Sequence, residues 1–175
     1  MLVLEEWGQA HQRGACILGE LIGYGVATDI SHITRPSIVG QAAAMREALR
    51  SAGCAPEDID YINAHGTGTP ANDAVETAAI KEVFRDHARR LPISATKSVH
   101  GHLLGASAAL ELVLSLLAMR RGVLLPTMHL QEPDEKCDLD YVANCARVDA
   151  SVQSVMSNAF AFGGTNAVLV ARTVR

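Results

Sequence analysis

Two short polar segments carry the residue types that could perform acid–base or oxyanion chemistry. Each follows an apolar run: residues 63–69 read NAHGTGT and include His65, and residues 96–102 read TKSVHGH and include Lys97 and His102. A neutral imidazole can donate a hydrogen bond to an oxygen that gains charge during a reaction, and its pKa also lets it act as a base. We therefore expect the two segments to form one shared site.

The elements that must position these segments are the strands before them and the helices after them. Residues 59–62 and 91–95 are β-prone runs, and predicted helices follow at about residues 70–85 and 103–119. In α/β folds, loops at the carboxyl ends of strands carry the chemistry, and the following helix N-termini add partial positive charge. Strands that alternate with helices and end in a hairpin predict an α/β fold with a mixed sheet.

The rest of the chain shows no tandem repeat, low-complexity tract or linker, so residues 1–175 are interpreted as a single domain. A domain that opens inside a strand is typical of a part of something larger. The remaining predicted elements are strands at residues 1–4, 16–27, 140–143, 154–159 and 167–171, and helices at residues 5–13 and 41–52.

Composition excludes several classes of protein. The chain is 49% apolar and 19% charged, which argues against disorder, and its net charge of −4 gives no reason to expect nucleic acid or an anionic membrane as partner. The longest apolar run, residues 103–119, contains Glu111 and reads as a buried helix rather than a membrane span. Four cysteines without CxxC spacing and without a secretory signal predict free thiols and a cytoplasmic location.

Three motifs resemble those of the β-ketoacyl-acyl carrier protein synthases. Residues 63–69 with Asp73 and Glu76 resemble NAHGTxTxxxDxxE, residues 96–106 resemble TKSxxGHxxGA, and residues 158–166 resemble NSFGFGGTN. The motifs stand in the family's order, and the likeness is greatest to the elongating type II synthases. It implies one half of a thiolase-like fold, a mixed five-stranded sheet with helices on both faces, and it covers only the C-terminal half of such an enzyme.

The resemblance also implies an activity and partners. The whole enzyme takes an acyl chain onto a cysteine, decarboxylates malonyl-acyl carrier protein, and joins the two by Claisen condensation. The expected partners are acyl carrier protein and an N-terminal half that carries the nucleophile, with a homodimer when complete. None of the four cysteines stands in a setting typical of a nucleophile, so we expect residues 1–175 alone to catalyse no condensation. The four cysteines are Cys16, Cys54, Cys137 and Cys145.

The resemblance assigns catalytic roles to four residues. His65 and His102 match the histidines that stabilise the enolate during decarboxylation. Lys97 and Glu76 are expected to form a buried ion pair that orients them, since an unpaired buried charge is costly. The alternatives are a loop histidine satisfied by the backbone and an ordinary exposed lysine.

Substrate-binding residues follow from the same motifs. Thr67 and Thr69 match residues that hold the phosphopantetheine arm, with turn formation as the alternative. Phe162 directly precedes Gly163, which can adopt backbone angles that other residues avoid. By resemblance, Phe162 and Gly163 match a turn whose phenylalanine gates the acyl pocket. The alternative is core packing, for which Phe160 is the better candidate.

No cofactor is expected beyond phosphopantetheine borne by the substrate and a structural monovalent cation. Two other functions remain open: a non-catalytic partner subunit resembling a chain-length factor, and a binding domain for acyl carrier protein. Partner subunits tend to lose the histidines, and this chain has both. The cation-binding positions implied by the resemblance are Asn63, Glu111, Ser157 and Asn158.

Overall fold

A mixed sheet forms the centre of the computed structural model, which describes residues 1–174. The strand order is β1-β5-β4-β2-β3; β1, β5 and β4 are antiparallel, whereas β4, β2 and β3 are parallel. The prediction of an α/β fold with a mixed five-stranded sheet is thereby confirmed. The strands are β1 (Glu20–Thr28), β2 (Tyr61–Asn63), β3 (Ile93–Ser94), β4 (Ser154–Phe160) and β5 (Thr165–Arg172).

Helices cover both faces of this sheet because side chains alternate along each strand. On β2 and β4, Ile62 and Met156 join a core built with α2 and α3, while Tyr61 and Val155 join a second core built with α5. The helices are α1 (Trp7–Gln12), α2 (Ile38–Ala52), α3 (Asn72–Phe84), α4 (Lys97–His100) and α5 (Ser107–Arg121).

Two predicted strands are absent from the described residues 1–174. Residues 1–6 form no strand, and Val3 is 78% exposed, because no neighbouring strand pairs with them. Residues 140–143 make only an isolated bridge between Ala143 and Thr127. Val142 and Asn144 have φ angles of 29° and 58°, which an extended strand does not allow.

The helix predicted at residues 103–119 begins later, at Ser107. Leu104 has a φ of 52°, so the chain first makes a tight turn at Leu104–Ala106. Gly122 ends α5 in the left-handed conformation after two arginines, as a helix C-terminus favours. Within residues 1–174, every helix is too short or too polar to cross a bilayer.

Candidate active site

Two neighbouring parallel strands bring the polar segments together, as the sequence predicts. His65 follows β2, while Lys97 and His102 follow β3, and β2 pairs with β3. The imidazole rings of His65 and His102 lie 5.8 Å apart between centroids, edge to face at 84°. Both imidazoles are therefore within reach of one substrate atom.

His65 is a buried, neutral imidazole. The Nζ of Lys97 lies 2.6 Å from the carbonyl oxygen of His65 and 3.5 Å from its Nδ1. Burial, the charge of Lys97 and the nearby His102 lower the pKa of His65 to about 3. Because a lysine only donates hydrogen bonds, Nδ1 faces it as an acceptor and Nε2 carries the proton.

His102 reaches the same tautomer through different contacts. Its Nδ1 accepts a hydrogen bond from the backbone N–H of Leu104 at 3.1 Å and lies 3.1 Å from the hydroxyl oxygen of Ser107. That hydroxyl oxygen accepts from the N–H of Leu103 at 2.9 Å, so its own proton points to His102. The exposed ring therefore presents Nε2–H as a donor. The sequence did not predict a role for Ser107 in orienting His102. The only signal was a serine in the first turn of α5.

The predicted ion pair between Lys97 and Glu76 is wrong. Lys97 instead pairs with Glu111, at 2.5 Å from Nζ to Oε1, and the two side chains are 4% and 1% exposed. Burial raises the pKa of Glu111, and the ion pair with Lys97 opposes that rise. The reason is positional: Glu111 lies on α5, whose N-terminal turns face Lys97, whereas Glu76 on α3 faces the backbone of the turn after β2.

Glu76 holds that turn through backbone hydrogen bonds. Its two carboxylate oxygens accept from the N–H groups of His65 and Gly66, both at 2.9 Å. The side-chain amides of Asn72 and Asn158 each donate to it at 3.1 Å. Burial raises the pKa of Glu76, and these four N–H donors oppose the rise. The contribution of Asn72 was not predicted, since an asparagine at the start of a helix reads as a cap.

Thr67 and Thr69 are hydrogen-bonded to each other at 2.8 Å between hydroxyl oxygens. Thr69 also accepts from the N–H of Asn72 at 3.3 Å and so caps the start of α3, which is the turn alternative. Thr69 is exposed and Thr67 is half-buried, so both hydroxyls remain next to solvent. Phosphopantetheine binding by these threonines stays a prediction.

Phe162 and Phe160 have opposite surroundings. Phe162 is 78% exposed, on a turn where Gly163 has a φ of 82°. Phe160 is buried, with its ring 5.7 Å from the ring of His65. At Gly164 any Cβ would overlap the carbonyl oxygen of Asp29, so the backbone of this turn packs directly on the loop that follows β1. The gating role of Phe162 stays a prediction.

The four cation-binding candidates divide into two kinds. Asn63 lies opposite Ser157 in the β2–β4 ladder, and its amide already bonds Ser115, the carbonyl of Glu111 and Thr96, each at 3.3 Å. Glu111 Oε2 and Asn158 Oδ1 are buried, and neither has a hydrogen-bond partner among residues 1–174. Carboxylate and amide oxygens such as these are typical ligands of a hard monovalent cation.

Two cysteines of the described chain have thiols that are harder to deprotonate than usual. Burial raises the pKa of the Cys54 and Cys137 thiols, the reverse of what a nucleophile needs. Cys16 contacts Arg120 at the opposite end of α5 from His102, and Cys145 is exposed.

Comparisons with known proteins identify related chains. The family profile described as "Beta-ketoacyl synthase, C-terminal domain" matches residues 18–131. The chain is 52% identical over 174 residues to nodulation protein E of Rhizobium meliloti, covering 99% of the chain and 43% of that relative. It is 52% identical over 171 residues to 3-oxoacyl-[acyl-carrier-protein] synthase 2 of Coxiella burnetii, covering 97% of the chain and 41% of the relative.

A solved structure supports the same relationship. The structure described as "AntDE:AntF (apo): type II PKS acyl-carrier protein in complex with its ketosynthase bound to the hexaketide" superposes with a TM-score of 0.93 at 36% identity. The match covers 98% of the chain and 42% of that structure. The chain thus spans less than half the length of the proteins that it matches.

Proposed function

Because this chain belongs to the β-ketoacyl synthase family, we propose that it provides the decarboxylating residues of a condensing enzyme of fatty acid or polyketide synthesis. One observation carries the proposal: the imidazoles of His65 and His102, 5.8 Å apart, both hold the tautomer that donates from Nε2. Such preorganised donors stabilise an oxygen that gains negative charge.

The first step is the decarboxylation of a malonyl thioester. The bond between its α-carbon and its carboxylate breaks, carbon dioxide leaves, and the electron pair passes into an enolate. The thioester oxygen of that enolate accepts N–H hydrogen bonds from His65 and His102. With a pKa of about 3, His65 stays neutral at physiological pH and acts as a donor, not as a proton source.

The second step forms the new carbon–carbon bond. The enolate carbon attacks the carbonyl of an acyl chain held as a cysteine thioester, the carbon–sulfur bond breaks, and the thiolate leaves. We propose that the nucleophile lies in an N-terminal half outside these 175 residues, in a homodimeric enzyme. Burial disfavours the thiolates of Cys54 and Cys137, Cys16 lies at the far end of α5, and the chain covers only 41% of the similar synthase.

Acyl carrier protein is the proposed source of the malonyl group. Two similar proteins support this: one is named as a synthase of 3-oxoacyl-acyl carrier protein, and the other is a ketosynthase in complex with its carrier protein. Thr67 and Thr69 would bind the phosphopantetheine arm, and Phe162 would gate the acyl pocket. We also propose a cytoplasmic location, which this chemistry and the free cysteines support.

A structural monovalent cation is proposed beside the ion pair. Glu111 Oε2 would bind it, because this oxygen is buried without a hydrogen-bond partner in the described chain. A bound cation would supply positive charge there and compensate the desolvation of Glu111.

The function is tested with histidine variants in the complete enzyme. His65→Ala and His102→Ala should each lower the release of carbon dioxide from malonyl-acyl carrier protein by about 10²–10³-fold, the effect of losing one oxyanion donor. His100→Ala is the matched control, because the hydrogen bonds of the His100 ring within residues 1–174 go to Thr96 and Gly101 and not to His65 or His102. Full decarboxylation by both variants would refute the proposal.

A further inference from the structure

A buried chain of side-chain amides lies behind the turn that carries His65. We propose that Asn72 and Gln41 are positioning residues for decarboxylation: they hold the carboxylate of Glu76 and, through it, the backbone of His65 and Gly66. The inference deepens the proposed function, because positioning of His65 matters only if His65 acts on the malonyl thioester.

Hydrogen bonds define the order of this chain. Gln41 Nε2 lies 3.2 Å from Asn72 Oδ1, and Asn72 Nδ2 lies 3.1 Å from Glu76 Oε2. The carboxylate accepts only, so Asn72 must turn its NH₂ group to Glu76 and its oxygen to Gln41. Gln41 must then present its own NH₂ group. Each amide therefore has one permitted orientation.

The end of this chain meets a backbone turn with little room to move. Glu76 Oε2, the oxygen that Asn72 contacts, also accepts the N–H of Gly66 at 2.9 Å. Gly66 has a φ of 41°, and a Cβ placed on it would lie 2.5 Å from the Cβ of Ala95. A shift of the Glu76 carboxylate would therefore be transmitted to Gly66 and to His65 beside it.

Asn72 also connects the turn to the proposed substrate path. Its backbone N–H donates to the hydroxyl oxygen of Thr69 at 3.3 Å, while its side chain bonds Glu76. One residue thus holds both the threonine pair and the carboxylate behind His65.

Gln41 would be a poor choice for stability alone. It is fully buried on α2, and its Oε1 accepts no hydrogen bond from the described residues. An unpaired buried oxygen costs free energy, whereas an apolar side chain of similar volume would not. The glutamine is explained if its NH₂ group is needed to orient Asn72.

The experiment follows amide hydrogen exchange in Asn72→Leu and Gln41→Leu. Asn72→Leu removes the amide hydrogen bonds but keeps the number and branching of the side-chain heavy atoms, and Gln41→Leu replaces the buried amide by an apolar side chain. Loss of the bond to Glu76 should speed exchange of the His65 and Gly66 amides by about 3–10-fold in Asn72→Leu, the effect of one net hydrogen bond. Gln41→Leu should give a smaller rise. Gln131→Leu, in an exposed loop, is the matched control and should change neither amide.

A kinetic readout separates positioning from simple packing. In the complete enzyme, Asn72→Leu should lower kcat for malonyl decarboxylation by about 3–10-fold, with KM and acyl transfer nearly unchanged. Unchanged exchange at His65 and Gly66, or faster exchange at all amides together with an equal fall in both half-reactions, would overturn the proposal. Local exchange changes in a protein that never decarboxylates malonyl thioesters would refute the proposed function instead.

Discussion

Lys97 is joined to Glu111 by an ion pair of 2.5 Å, and both side chains are almost completely buried. The same ammonium group also contacts the carbonyl oxygen of His65 at 2.6 Å. Three acceptors, counting the His65 ring nitrogen, thus use the three protons of the ammonium group. The pair keeps a positive charge beside His65 that would otherwise be too costly to bury.

Breaking this pair should destabilise the protein more than removing it. Lys97→Met leaves Glu111 buried without its cation and should lower the free energy of unfolding by about 3–5 kcal/mol. The double variant Lys97→Met/Glu111→Leu should recover most of that loss but not decarboxylation. Urea unfolding measures both variants. A single variant as stable as the wild type would show that the pair is not coupled.

Acid should weaken the fold through His65. Its pKa is about 3 when folded and 6.5 when free, so between these values the unfolded chain binds one proton that the folded chain does not. The contribution of His65 to the free energy of unfolding is therefore fully present above pH 6.5. It falls by up to about 1.4 kcal/mol per pH unit as the pH is lowered towards 3. Urea midpoints at several pH values should show a shallower slope for His65→Gln. Equal slopes would contradict the buried neutral imidazole.

Ser107→Ala should loosen the tautomer of His102. Without the hydroxyl group, Nδ1 retains only the N–H of Leu104, and the N–H of Leu103 loses its acceptor. We expect decarboxylation to fall about tenfold, since one hydrogen bond to a catalytic group is lost. The ¹⁵N chemical shifts of the imidazole report the tautomer directly. An unchanged spectrum would mean that Leu104 alone fixes it.

Phe162→Ala should affect acyl transfer more than decarboxylation. The side chain is 78% exposed on a glycine turn, so its loss opens an acyl path without removing core packing. Pre-steady-state transfer from acyl carrier protein and carbon dioxide release are measured separately. Val148→Ala, also exposed, is the control. Equal losses in both half-reactions would instead indicate a packing role.

Potassium should stabilise the protein relative to choline at equal ionic strength. A cation bound by Glu111 Oε2, at 100 times its dissociation constant, adds about 2.7 kcal/mol. The thermal midpoint in each chloride salt is the measurement. Glu111→Gln should remove the difference. A difference that persists in that variant would place the cation elsewhere.

The location of the site was predictable because it depends on local patterns. Strand-like runs before His65 and Lys97 imply two parallel strands that end at one edge, and the structure has this arrangement. Sheet alternation also fixed the two cores, since Tyr61 and Ile62 must face opposite sides.

The ion pair was not predictable, because spacing along the chain does not tell which carboxylate faces Lys97. Glu76 and Glu111 are both buried, and they approach the site from α3 and α5 on opposite faces of the sheet. Only the packing of those helices decides between them. Ser107 depended on the tight turn at Leu104, whose φ of 52° no composition pattern predicts for a leucine.

The pairing of β1 with β5 has a consequence for biosynthesis. Glu20 lies opposite Arg172, so β1 is synthesised long before its partner strand β5. At about 5–20 residues per second, ribosomal synthesis separates the two strands by roughly 7–30 s. During that interval both edges of β1 are unpaired, whereas in the folded structure β5 covers one of them. We therefore expect β1 to be most prone to non-native strand pairing before β5 has been synthesised.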